Sequence, residues 1–181
     1  MLNNFLASLP FMTETRADML ISAFWPMVKA GFAVSLPLAI ASFVIGMIIA
    51  VAVALVRIMP SGGIFQKCLL KLVEFYISVI RGTPLLVQLV IVFYGLPSVG
   101  IYIDPIPAAI IGFSLNVGAY ASETIRAAIL SVPKGQWEAG FSIGMTYMQT
   151  FRRIVAPQAF RVAVPPLSNE FIGLFKKTSL A

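Results

Sequence analysis

Residues Pro133 to Pro157, PKGQWEAGFSIGMTYMQTFRRIVAP, decide how the chain is read. They separate two apolar segments and carry Lys134, Glu138, Arg152 and Arg153, so a bilayer would not accept them. Pro133 ends the helix before it. A short helix beginning near Gly135 would set Trp137, Gly140, Phe141 and Gly144 on neighbouring turns of one face. Glu138 falls in that helix's first turn, where a carboxylate suits the macrodipole. Gly144 is placed to end it as the C′ residue. Two glycines beside two aromatics make a ridge with holes, suited to insertion in a partner's groove. The other reading is a polar loop whose Trp137 anchors at the lipid interface.

The rest of the chain is membrane-like. Of its 181 residues 59% are hydrophobic and 11% charged, with mean hydropathy +0.94; a soluble domain carries about 25% charged residues. The net charge of +6 is scattered in ones and twos at segment ends, as in the flanks of membrane helices. No basic-aromatic patch exists, which argues against nucleic acid. There is no His and a single Cys, Cys68, which excludes His-ligated zinc, a His base and an intramolecular disulfide. No metal site and no cofactor are expected. Residues 1–21 carry Glu14, Arg16 and Asp18 without a basic start, so they read as an external lead-in rather than a cleavable signal.

Four spans follow, over 22–57, 64–96, 105–132 and 147–177. From Ala30 to Val56 run 27 residues without a charge, framed by Lys29 and Arg57, or about 40 Å of helix. Pro37 is placed to kink it. Pro60-Ser61-Gly62-Gly63 is a turn. A second helix runs from about Gln66 to Leu96, amphipathic at first and apolar from Leu85. A third runs from Pro107 to Leu130, and a fourth from near Tyr147 toward Phe175. Arg57, Lys67 and Lys71 lie in one connection and Lys134, Arg152 and Arg153 in another, while 97–106 has no Lys or Arg. The positive-inside rule makes the first and third connections cytoplasmic, and the loop 133–146 with them. Lys176 and Lys177 then fall on the outer side unless they line a polar cavity.

Glu138-Ala139-Gly140, three residues, Gly144, nine residues and Ile154-x-x-Pro157 resemble the EAA loop of ABC-transporter permeases. Arg81-Gly82-Thr83-Pro84-Leu85 with Gln88 and Phe93-Tyr94-Gly95-Leu96-Pro97 extends the match. So do Ala119-Tyr120-x-x-Glu123-x-x-Arg126, Pro157-Gln158-Ala159 and Pro165-Pro166-Leu167-x-Asn169. Together, from about Trp25 to Ala181, they are similar to the polar amino-acid branch of ABC importer permeases, closest in look to its cystine and general amino-acid members. The usual pattern has a third Ala at Gly140, a Leu at Ala156 and an acidic residue at Lys177.

The resemblance implies an all-α, MetI-like type I importer permease in a bacterial inner (plasma) membrane. It also implies a further helix beyond Ala181, so the chain is expected to be a truncated form with four spans. It implies an ATP-binding subunit dimer docking on Trp137, Glu138, Ala139, Gly140 and Gly144. A second permease copy, identical or related, and an external substrate-binding protein would complete the assembly. No Walker A loop is present, so the chain is expected to be a transport subunit and not an enzyme.

Within the bilayer, Glu170 lies nine residues from Arg161, about 13 Å deep. Pro165-Pro166 frees carbonyls where a helix can open. Ser168, Asn169 and Glu170 are the expected substrate path, with Glu170 on an amino acid's ammonium group; a structural ion pair with Lys176 or Lys177 is the alternative. Thr83 and Gln88 would add neutral hydrogen bonds to that path or else serve interhelical packing, as Asn116 would. Arg81, about 24 Å from Pro97 along a straight helix, is expected to snorkel or meet a loop. Glu123 and Arg126 are expected to form an intrahelical pair. The rival functions are an ion-driven secondary transporter, which would need no partner, and a non-transporting membrane anchor or inactive truncated permease.

Overall fold

A computed structural model describes residues 14–58 and 63–180, and every regular element among them is helical. The chain divides into two units, one ending at Pro37 and one beginning at Leu38.

The lead-in expected over 1–21 lies outside the described residues as far as position 13. From Glu14 the chain is helical, in α1 (Glu14–Ala30). Phe24, Trp25, Met27 and Phe32 are exposed, an apolar surface that suits lipid better than water. Lys29 lies over the Trp25 ring at 5.8 Å. Gly31–Ser35 form a π-turn ahead of Pro37. Proline offers no N–H to the turn before it, and a widened turn accommodates that loss.

The next helix is α2 (Leu36–Ile58), which belongs to the second unit from Leu38 on. The expected turn at 60–63 lies outside the described residues except for Gly63, the N-cap of α3 (Ile64–Gly82). The single helix read from Gln66 to Leu96 is in fact broken. α3 ends at Gly82, α4 (Leu85–Val90) starts again, and the two directions differ by 107°. Pro84 disfavours the helical region for the residue before it, and Thr83 is extended at φ −119°, ψ 143°. α4 runs on through a π-turn (Ile91–Gly95) and a last short turn to Ser98.

The break strands carbonyls at the end of α3, and local side chains take them up. The Thr83 hydroxyl donates to the Val79 carbonyl at 2.8 Å. Gln88 Nε2 donates to the Ile80 carbonyl at 2.7 Å and the Thr83 carbonyl at 3.1 Å.

α5 (Pro105–Leu130) is the centre of the unit, with Phe113 and Val117 fully buried. Association between membrane helices rests on close packing rather than on water exclusion, which favours small residues. A Cβ on Gly118 would sit 2.7 Å from Ile49, and one on Gly46 2.7 Å from Val117. Tyr76 Oη donates to the Leu115 carbonyl at 2.6 Å, and Ser114 Oγ to the Ser42 carbonyl at 3.2 Å. The surface helix α6 (Lys134–Ser142) follows. Then come α7 (Tyr147–Thr150), a π-turn (Phe151–Val155) and α8 (Ala156–Lys177). α8 stays helical through Pro165 and Pro166, so the proline pair does not open it as the sequence suggests.

Among the described residues, one helical run, Ser22–Ile58, is long and apolar enough by itself to cross a bilayer. The bent pair α3–α4 qualifies only if counted as one span.

Candidate functional site: a surface helix lashed to the bundle

α6 begins at Lys134, one residue earlier than the spacing suggests, because Pro133 itself is the N-cap. Glu138 is therefore its fifth residue and lies in the second turn, not the first. The C-terminus follows the reading closely. Gly144 is left-handed at φ +78°, which an L side chain resists. The Gly144 N–H donates to Phe141 O at 3.0 Å and the Met145 N–H to Gly140 O at 3.0 Å, the paired bonds of a Schellman end.

The ridge is occupied from within. Gly140 is buried, and a Cβ there would lie 2.5 Å from Thr150 Cγ2. The hole beside Gly140 is thus filled by this chain's own α7 and not left for a partner. Trp137 stacks on Tyr147 with centroids 5.0 Å apart and lies 6.3 Å from Phe151. It is half-buried among its own aromatics rather than free at a lipid surface. A capping box starts α7, with Thr146 N–H donating to Gln149 Oε1 at 2.9 Å and Gln149 N–H to Thr146 Oγ1 at 3.4 Å.

Two further bonds tie this assembly to the long helices. Gln158 Nε2 on α8 donates to Gln136 Oε1 at 3.1 Å, and Tyr147 Oη donates to the Ile58 carbonyl at the end of α2 at 3.4 Å. α6 leaves Lys134, Gly135, Gln136, Glu138, Ala139, Phe141 and Ser142 exposed and, just past it, Ile143 and Gly144.

A second cluster escaped the sequence reading. Glu123 pairs with Arg126 at 3.0 Å as expected, and it also pairs with Arg57 of α2 and lies 3.9 Å from Arg81 of α3. The break at Thr83-Pro84 voids any depth counted for Arg81 along a straight helix; it sits over the Tyr120 ring at 5.5 Å. Lys177 lies over the same ring at 5.9 Å and 3.6 Å from Glu170. Arg57 and Arg81 stand at the ends of α2 and α3, but with Arg81 read inside one continuous helix the sequence carried no signal of the meeting.

The expected path residues are not gathered in one place. Gln88 is buried, bonded to Thr83 Oγ1 at 2.9 Å and accepting from Asn116 Nδ2 at 3.1 Å, which joins α4 to α5. Ser168 donates to the Val164 carbonyl at 2.9 Å and lines a mostly apolar cavity of about 420 Å³ with Phe43 and Phe171. Asn169 is exposed, and Glu170 is part-buried with Oε1 3.6 Å from Lys177 Nζ, the ion pair given above as the alternative.

Solved structures share the fold. An amino acid ABC transporter crystallised with histidines matches at TM-score 0.80 and 34% identity, over 90% of this chain and 73% of that one. The inward-facing MetNI methionine ABC transporter matches at TM-score 0.70 and 23% identity, over 88% and 74%, which speaks to fold alone. The fold and the lashed helix define a class: an integral-membrane permease subunit of an ABC importer. Residues 63–181 match the binding-protein-dependent transport system inner membrane component, and the chain belongs to that family.

Among relatives, it is 53% identical to the L-cystine transport system permease protein TcyB of Bacillus subtilis (strain 168), over 98% of this chain and 75% of the relative. It is 38% identical to the arginine transport system permease protein ArtQ of the same organism, over 86% and 69%. Membership makes the chain a transport subunit and not an enzyme, with ATP hydrolysis on a separate subunit and a substrate-binding protein as a further partner. It leaves the ion-driven alternative without support.

Proposed function

We propose that the chain forms the translocation path of an amino-acid importer in a bacterial plasma membrane and takes its drive from an ATPase dimer through α6. The observation that carries this reading is the lashing of α6. Gly140 against Thr150, Trp137 against Tyr147, and Gln136 against Gln158 fix the helix to α7 and α8. A push on its exposed face would therefore move long helices rather than bend a loop. Trp137, Gly140 and Gly144 would hold the lever's shape, while Glu138 and Ala139 would meet the ATPase.

In this reading 22–57, 64–96, 105–132 and 147–177 cross the bilayer, and 133–146 faces the cytoplasm by the positive-inside rule. Two permease copies, identical or related, would line the path. Ser168, Asn169 and Glu170 are its proposed polar wall, with the Glu170 carboxylate toward the ammonium of a zwitterionic amino acid. With their donors engaged on backbone carbonyls, Thr83 and Gln88 would shape that wall rather than donate to substrate.

The test is uptake and ATP hydrolysis measured together in proteoliposomes holding the full transporter. Glu138→Ala should insert normally and bind substrate protein, yet lose most substrate-stimulated ATP hydrolysis and uptake. Uptake at the parental rate would remove the docking assignment.

A further inference from the structure

Behind α6 lies a cavity of about 560 Å³ whose cations the docking role does not use. Arg57, Arg126 and Lys134 line it together with Glu138, Trp137 and Tyr147. Set against Glu123, which pairs with both arginines, and Glu138, the three cations leave a local charge of +1; Arg81, 3.9 Å from Glu123, raises it to +2.

Ile129, in the wall of this basin, also lines a second cavity of about 320 Å³ that is almost wholly apolar. Met47, Val51 and Leu55 of α2 form one side of it, and Ala159, Ala163 and Leu167 of α8 the other. Shallower hollows carry the same face of α2 on to Phe43. From Phe43 to Leu55 the furrow is about 18 Å long, close to the ~15 Å of one leaflet's hydrocarbon.

We infer that basin and furrow together bind an anionic phospholipid, the acyl chain along α2 and the phosphate among Arg126 and Lys134. Net positive charge at one end of an apolar furrow is the complement of such a lipid. A bound lipid would brace α6 against α2 and α5, so coupling to the ATPase would need it. This rests on 133–146 facing the cytoplasm as proposed above, but the binding itself is readable without any transport assay.

The test is native mass spectrometry of the purified transporter, delipidated and then titrated with phosphatidylglycerol or with phosphatidylcholine of the same chains. The parent should retain phosphatidylglycerol preferentially. Lys134→Gln should lower that preference about fivefold, the worth of one basic residue near an anionic surface. Val51→Trp, at an exposed position, should block the furrow and remove retention. Equal retention of both lipids, or a preference unchanged in both variants, overturns the inference. So does a disulfide between two copies at Val51→Cys in a Cys68→Ser background, which would put a second copy in the furrow. Preference intact in a transporter whose ATPase fails to dock would uphold the lipid site and count against the docking reading alone.

Discussion

Arg57 and Glu123 stand 66 positions apart and form an ion pair that joins the end of α2 to α5, with side chains only 18% and 17% exposed. Arg126 and Arg81 approach the same carboxylate, so one acid answers three guanidinium groups from three helices.

Glu123→Gln should therefore destabilise the bundle, since it leaves three cations facing one another. An exposed pair contributes about 0–1 kcal/mol, and breaking a buried one costs about 3–5 kcal/mol. At this intermediate burial about 1–3 kcal/mol is expected, read as a lowered Tm of the detergent-purified protein. An unshifted Tm would show the network to be dispensable.

Gly140→Ala should loosen α6, because the new methyl meets Thr150 Cγ2 at 2.5 Å unless something moves. Thr150→Ala in the same chain removes the obstructing atoms and should restore coupling. Overpacking of this kind costs about 1–3 kcal/mol. The ratio of uptake to ATP hydrolysed in single and double variants measures it; failure of the second change to rescue would mean the contact is not the cause.

Gly144→Ala should cost about 1 kcal/mol, since φ +78° is strained for any L side chain. Gly144→Asn, which tolerates that region better, should cost less. Protease susceptibility between Phe141 and Thr146 should rise from the parent to Gly144→Asn to Gly144→Ala, and equal susceptibility of all three chains would contradict it.

Gln88→Leu should leave the Ile80 carbonyl and the Asn116 amide without their partners. A buried unsatisfied group costs about 1–3 kcal/mol, so the Tm should fall. Asn116→Leu added to it should cost less than in the parent, which a double-mutant cycle measures.

Much of this was legible in the sequence, and the failures have physical causes. Gly144 as a helix end was readable because one residue type fits a left-handed position at that distance from Trp137. The break in the second helix was written in Gly82-Thr83-Pro84, yet the apolar run through Leu85 to Leu96 argued for continuity, and local proline geometry won. Glu138 missed its predicted turn by a single residue, because Pro133 caps the helix rather than preceding it. The partnership of Gly140 with Thr150 has no sequence signal at all. It depends on how the chain returns after Gly144, while the meeting of Arg57 and Arg81 on Glu123 depends on how α2 and α3 pack on α5. Pro165 and Pro166 suggested an opened helix, but two prolines free carbonyls without obliging the turns to part.

The central claim, that the exposed face of α6 meets a separate ATPase, is tested most directly by cross-linking. Ala139→Cys in a Cys68→Ser background presents a single thiol on that face of the assembled transporter. A short bifunctional maleimide–photoprobe should join it to the ATPase subunit, with the yield changing when ATP is bound. A thiol that is instead modified by impermeant reagent from outside intact cells, and that never joins the ATPase, would contradict the account.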